Sequence, residues 1–336
     1  MVHKATLKDV AELAGTSIAT ASVVLNKGNQ KFVSVELRGR VLKAARQLNY
    51  QPNIAARRMK GKGGKTLALL VPQFENTFFN RIVIGAETYA SERGYILSIY
   101  STRDKEEQEL SFLENIIAHQ VDGILICPAK NDSKSVDLIR KTEIPYVVVD
   151  REVQGSDYDF VTVDNYQAAY LGAKLLIEHG HRHILLYGWK SELNTITDRV
   201  QGFEDAMAEA GITADEYMIL EGNRSRTEAL EVFGKIMQER EFTAVFAGQH
   251  NIGEGIVEAL RVGGKRIPQD MSVLIFGNPT WAMIINPSIS TIAQPDLEIG
   301  SKAAELVISQ VENSKHLPNR YTFSPKIHIR NSVQKL

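Results

Sequence analysis

Residues 6–26 read TLKDVAELAGTSIATASVVLN, two short helical patterns separated by one glycine. Thr6 with Asp9 three residues on is a capping-box pattern: the threonine hydroxyl accepts a backbone N–H while the carboxylate reaches back. Val10, Ala11 and Ala14 then fall on one helical face. Gly15 stops the first helix, and Ser17 caps a second that runs to about Leu25. The spacing predicts a helix-turn-helix, in which the second helix enters the DNA major groove with its N-terminal residues at base edges. Ser34 caps a third helix, with Glu36 in its first turn and Leu37, Val41, Leu42, Ala45 and Leu48 in helical period.

Charge supports a polyanionic partner for this head. The 336-residue chain has a net charge of −1, yet residues 1–65 hold 13 lysines and arginines against three acids, a balance of +10. The other 271 residues hold 26 basic and 37 acidic side chains, a balance of −11. A basic head on an acidic body is the electrostatic footprint of a nucleic-acid-binding module. Pro52 opens and glycines 61, 63 and 64 close a further helix of about two turns, too short to be stable alone in water. The expected division is a DNA-binding domain over 1–51, a hinge helix and linker over 52–65, and a body over 66–336.

From residue 66 the pattern becomes strand–helix alternation. Apolar runs at 66–71, 95–99, 123–127, 145–149, 159–163, 183–187, 216–220, 243–247, 272–276 and 289–293 read as strands, with helical patterns between most of them. Such alternation predicts parallel sheets covered on both faces. Ten strands suit two doubly wound lobes, with a ligand cleft at the carboxyl ends of the strands. The single cysteine, Cys127, sits in an apolar run and excludes a disulfide scaffold. No apolar run reaches the roughly 18 residues of a membrane span, and the N-terminus lacks the apolar core of a secretory signal, so a cytoplasmic protein is expected. The phosphate-loop, dinucleotide and nucleophile-elbow patterns of common enzymes are missing, and no catalytic residue or metal is expected. His179, His181 and His183 form an H-x-H-x-H run, read as turn and capping residues around Gly180 rather than as a metal site.

The chain resembles the LacI–GalR family of bacterial repressors. The resemblance begins in residues 6–26 and continues through VSVELRGRVLKAARQLNYQPN (33–53) and IAARRM (54–59). In the body it runs through VPQFENTFF (71–79), VDGILI (121–126), IPYVVVDR (144–151), VDNYQAAYLGAKLLIEHGH (163–181), DRVQGF (198–203), residues 242–277 and INPSISTIAQP (285–295). It implies an all-α helix-turn-helix head on an α/β periplasmic-binding-protein-like body. The body's N-lobe would span about 66–162 and 293–322, its C-lobe about 163–292 and 323–336. The implied activity is regulation of transcription by a homodimer that binds double-stranded operator DNA. A sugar-like effector between the lobes would set its affinity. Closure on that effector shifts a two-state equilibrium by differential affinity.

The same resemblance marks site residues. Thr6, Ser17, Thr20 and Asn26 match phosphate contacts or caps, and Ile18 and Ala19 match base-reading positions. Val23 stands where many members carry an arginine, which reads guanine bidentately; valine does not. Asn53, Ala56, Arg57 and Lys60 fall in the hinge that meets DNA, and Met59 replaces a leucine wedged into a base step. In the cleft, Phe78, Asp150, Arg151 and Arg199 match effector positions, with Phe79 expected in the core instead. Gln249-His250 and Gly277-Asn278 replace pairs that carry a carboxylate, and Arg224 replaces an aromatic lid. Loss of acid and gain of base favour an anionic effector, a sugar acid or sugar phosphate. Two alternatives stand beside this one: control by a protein co-repressor, and a sugar-binding transport protein, against which the head and the missing signal argue.

Overall fold

The computed structural model describes residues 5–25, 33–50, 64–155, 157–222, 225–313 and 316–336. The chain divides into two compact units, residues 1–64 and residues 65–336.

In the first unit, helices α1 (Leu7–Leu13), α2 (Ile18–Leu25) and α3 (Val35–Gln47) pack together. The capping box of α1 is complete. Asp9 N–H donates to the Thr6 hydroxyl at 3.3 Å, and Thr6 N–H donates to the Asp9 carboxylate at 2.7 Å. Gly15 takes φ +62°, a left-handed turn that lets Thr16 N–H bond back to Ala11 O at 3.0 Å. Ser17 accepts from Thr20 N–H at 3.1 Å and Ser34 from Leu37 N–H at 3.2 Å, each cap worth about 1 kcal/mol. The core is made of small side chains: Val10, Ala11, Ala14, Ala21, Val24, Val41 and Ala44 are buried. Alanines at the contacts let three short helices approach closely.

The second unit holds two six-stranded sheets. The first contains β1 (Thr66–Val71), β2 (Ile96–Ser101), β3 (Gly123–Ile126), β4 (Tyr146–Val149), β5 (Asp159–Val163) and β11 (Arg320–Phe323). Its order is β2-β1-β3-β4-β5-β11, parallel throughout. The second contains β6 (Ile184–Trp189), β7 (Met218–Gly222), β8 (Ala244–Ala247), β9 (Ser272–Phe276), β10 (Ser290–Ala293) and β12 (Lys326–His328). Its order, β7-β6-β8-β9-β10-β12, repeats the plan, except that β12 runs antiparallel. The first five strands of each sheet have the doubly wound order 2-1-3-4-5, with a switch point between the first and third. Strands β3, β8, β9 and β10 are buried along their whole length, as sheets covered on both faces require.

Each of the ten expected runs overlaps an observed strand. The two additional strands, β11 (RYTF), mostly exposed, and β12 (KIH), mostly half-buried, are short edges, so no apolar run announces them. The chain passes between the sheets three times: after β5, after β10 and after β11. After the second passage, α12 (Asp296–Glu312) packs on α4 (Thr77–Glu92) of the first lobe through glycines. A Cβ on Gly300 would lie 2.0 Å from Ile82 O, and one on Gly85 2.1 Å from Leu297 O.

Candidate effector cleft and DNA-reading helix

The carboxyl ends of strands from both lobes surround a small cavity, partly open to solvent. From the first lobe come Asn76, Phe78 and Phe79 beyond β1, and Asp150 and Arg151 beyond β4. From the second come Trp189 at the end of β6, Gln249 and His250 beyond β8, and Phe276 at the end of β9. Thr195 and Arg199 project from α8 (Asn194–Glu209), and Gln294 from the second passage between lobes.

Arg199 is fixed by two hydrogen bonds and an aromatic ring. Its Nε donates to Asn165 Oδ1 and its Nη1 to Gly248 O, both at 2.9 Å, and its guanidinium lies 3.5 Å from the centroid of the Phe276 ring. No carboxylate lies within ion-pair distance of it among the described residues. Burial lowers its pKa to about 10, opposed by Asp150 and Asp198, so it remains a cation at neutral pH. Arg151 is different. Its Nη1 donates to Asp104 at 2.5 Å and to Pro128 O at 3.1 Å, and its Nε lies 4.0 Å from Asp150. Asp150 is held at φ +67°, where a non-glycine residue is strained. Burial pushes its carboxyl pKa up, while Arg151 and Arg199 hold it down. Burial also pushes His250 down to about 4, leaving a neutral imidazole.

Four buried polar atoms in this wall have no hydrogen-bond partner among the described residues: Asp150 Oδ1, Gln249 Oε1, His250 Nε2 and Gln294 Nε2. Native interiors pair nearly all such groups, so four around one cavity mark a place for a polar occupant.

The cavity therefore brings together Phe78, Asp150, Arg151, Arg199, Gln249 and His250. Asn278 is a correction to the expectation. It is exposed, and its Oδ1 accepts from Arg330 Nη2 at 2.7 Å and Thr291 Oγ1 at 3.0 Å, outside this wall. The chain turns at Gly277 (φ +96°) directly after β9, so Phe276 faces the cavity instead. Phe79 is a core residue that also reaches the cavity edge. Trp189, Thr195, Phe276 and Gln294 were missed by sequence reasoning. Three of them end or directly follow a strand, so the strand ends alone could have nominated them. Arg224 lies outside the described residues.

On the head, the exposed face of α2 carries the positions expected to read bases. Ile18 is 48% exposed, Ala19 is exposed and Val23 half-buried, while Ala21 and Val24 point into the core. The Thr20 hydroxyl lies 2.9 Å from the Ser17 hydroxyl, and the Thr6 hydroxyl donates to Asp9 at 2.8 Å. Asn26, Asn53, Ala56, Arg57, Met59 and Lys60, with the expected hinge helix, lie outside the described residues. Elsewhere, His181 is buried between Thr243 Oγ1 (2.9 Å) and Gln334 O (3.2 Å), a structural bridge. Among the described residues no three histidine, cysteine or acidic groups cluster as a metal site, and no helix is long and apolar enough to cross a membrane.

Residues 6–53 match the family "Bacterial regulatory proteins, lacI family", and residues 64–330 match "Periplasmic binding proteins and sugar binding domain of LacI family". The chain belongs to the LacI family. It is 34% identical over 334 residues, 99% of both chains, to the HTH-type transcriptional repressor PurR of Vibrio parahaemolyticus. To the repressor of that name in Photobacterium profundum it is 32% identical over 335 residues, again 99% of both. A solved complex of the transcriptional regulator CelR with cellobiose aligns at 26% identity and TM-score 0.74, over 98% of this chain and 100% of that one. The lac repressor dimer bound to operator and the anti-inducer ONPF shares the fold, with TM-score 0.86 at 21% identity over 99% and 100% of the two chains. Like other LacI-family members, this protein is a DNA-binding transcriptional regulator, with a helix-turn-helix head and a two-lobed α/β body.

Proposed function

We propose that the protein is a non-enzymatic repressor that acts as a homodimer on operator DNA, with affinity set by a sugar-like effector in the interlobe cavity. Residues 1–51 bind DNA, 52–65 form hinge and linker, and 66–336 bind effector and dimerise, in the cytoplasm. The observation that carries the effector reading is the set of four polar atoms around one cavity without a partner among the described residues. Asp150 Oδ1 and Gln249 Oε1 accept from ligand hydroxyls, Gln294 Nε2 donates, and Arg199 offers a cation with no carboxylate at ion-pair distance among the described residues. Aromatic faces at Phe78, Trp189 and Phe276 suit the apolar face of a ring. A ring bearing hydroxyls and one anionic group, a sugar acid above all, satisfies each of these at once. An effector shifts the repressor's two states by its differential affinity, 1.4 kcal/mol for each tenfold.

A thermal-shift screen over glucose, ribose, glucuronate, gluconate, glucose 6-phosphate and nucleobases tests this reading. A ligand at one hundred times its Kd stabilises by about 2.7 kcal/mol, well above detection. We expect glucuronate or a related acid to raise the melting temperature more than its neutral counterpart, and to change operator affinity in a mobility shift. A screen silent to every small molecule, with operator binding switched by a second protein instead, is the outcome the co-repressor alternative requires.

A further inference from the structure

The exposed face of α2 has an unusual composition for a helix placed against bases. Taking 100° per residue, the buried Ala21 and Val24 define the core side, and the band opposite them carries Ile18, Ala19, Ser22 and Val23. Three of these four are aliphatic. None is an arginine, lysine, asparagine, glutamine or acid, the side chains that pair with two atoms of one base edge. The hydroxyls of Ser17 and Thr20 face each other, and Ser17 also caps the helix.

We propose that α2 reads the operator through thymine methyl groups, contacted by Ile18, Ala19 and Val23, and not through bidentate hydrogen bonds. The proposal rests on the reading of α2 as the major-groove helix. The thymine C5-methyl is the one apolar group that unmodified DNA presents in that groove. Pressing Ile18 or Val23 onto guanine O6/N7, cytosine N4 or adenine N6 strips water from polar atoms and returns no partner. The same aliphatic atoms on a methyl bury apolar surface on both sides. Affinity then comes from phosphates, for which the +10 balance of residues 1–65 is suited, and discrimination from methyls. Thymine is therefore selected at the contacted steps by attraction, and guanine and cytosine are rejected by desolvation.

The full-length protein first selects its preferred duplex from a random pool. Deoxyuridine then replaces thymidine at each enriched position, deleting one methyl and nothing else. We expect a loss of about fourfold in affinity per contacted methyl, the worth of one buried methylene. Ile18→Ala should make the protein indifferent to uracil at one position. Ile18 is half exposed, so the substitution spares the core, and the uracil arm needs no variant. A selected site whose thymines all tolerate uracil, but where 7-deazaguanine costs tenfold or more, overturns the proposal and leaves operator binding intact. Failure to enrich any sequence overturns both the proposal and the repressor reading.

Discussion

Glu109 is fully buried in the first turn of α5 (Glu106–Ala118), where its carboxylate accepts from Ala129 N–H at 3.0 Å and the Ser133 hydroxyl at 3.4 Å. Burial raises its pKa to about 7, with those bonds and the Arg151 charge pulling it down. A carboxyl raised from its ordinary 4.5 contributes stability that is complete below pH 4.5 and is lost as pH rises to about 7. His250 acts in the opposite direction. Lowered from 6.5 to about 4, it contributes stability that is complete above pH 6.5 and is lost as pH falls towards 4. The two nearly cancel between pH 4.5 and 6.5. Glu109→Gln should unmask the histidine, so that the variant's melting temperature rises with pH over this range more steeply than the wild type's. Parallel melts of the two proteins at pH 5 and 6.5 check this; identical slopes would show that Glu109 titrates normally. At Arg199 the expectation concerns binding. Removal of a charged donor costs about 1.5–3 kcal/mol, so Arg199→Ala should weaken effector binding roughly 10- to 100-fold by calorimetry. Effector-free operator affinity should be unchanged.

Among the elements, legibility follows burial. The strands under two helical layers are near-continuous apolar runs, so 66–71 and 272–276 coincide with β1 and β9. The caps at Thr6, Ser17 and Ser34 were equally readable, because a cap is a local hydrogen bond. Strands β11 and β12 were not, since each gets its strand character from a neighbour more than a hundred or some thirty residues away in sequence, β5 or β10. In the cleft, the resemblance pointed to charged and aromatic positions but misplaced Asn278, whose direction depends on the turn at Gly277 and on the Arg330 clamp. Gln294 lies in the resembling stretch 285–295 without being singled out there, and only folding places it beside residues from both lobes. The α4–α12 contact, likewise silent in the sequence, gives a test. Gly300→Ala puts a methyl 2.0 Å from a backbone oxygen, which must separate the helices. We expect a loss of about 1–3 kcal/mol in urea melts with the helix-turn-helix head unaffected.

On the scale of the whole molecule, the two lobes also touch directly beside the cavity. Asn131 Nδ2 donates to Glu192 O at 2.6 Å, and Glu152 N–H donates to Asn194 Oδ1 at 3.0 Å. Two side chains thus link the lobes. The double variant Asn131→Ala, Asn194→Ala should favour the open form, seen as a larger radius of gyration by small-angle scattering without effector. Effector affinity should fall by the fraction of closed molecules lost. An unchanged radius would assign closure to other contacts. DNA binding should fall steeply with salt, and a fragment beginning at Lys65 should not bind, because the excess positive charge lies in the first 65 residues. The three passages between lobes have a consequence for synthesis. A ribosome that has released residues 66–163 has delivered five strands of the first sheet but neither α12, which covers it, nor β11, its sixth strand. The second lobe is translated while the first still exposes apolar surface, and both sheets gain their last strands only within residues 320–328. A nascent chain arrested at residue 290 should therefore be protease-sensitive in both lobes but protected in its head, and final lobe assembly must await the last tenth of translation.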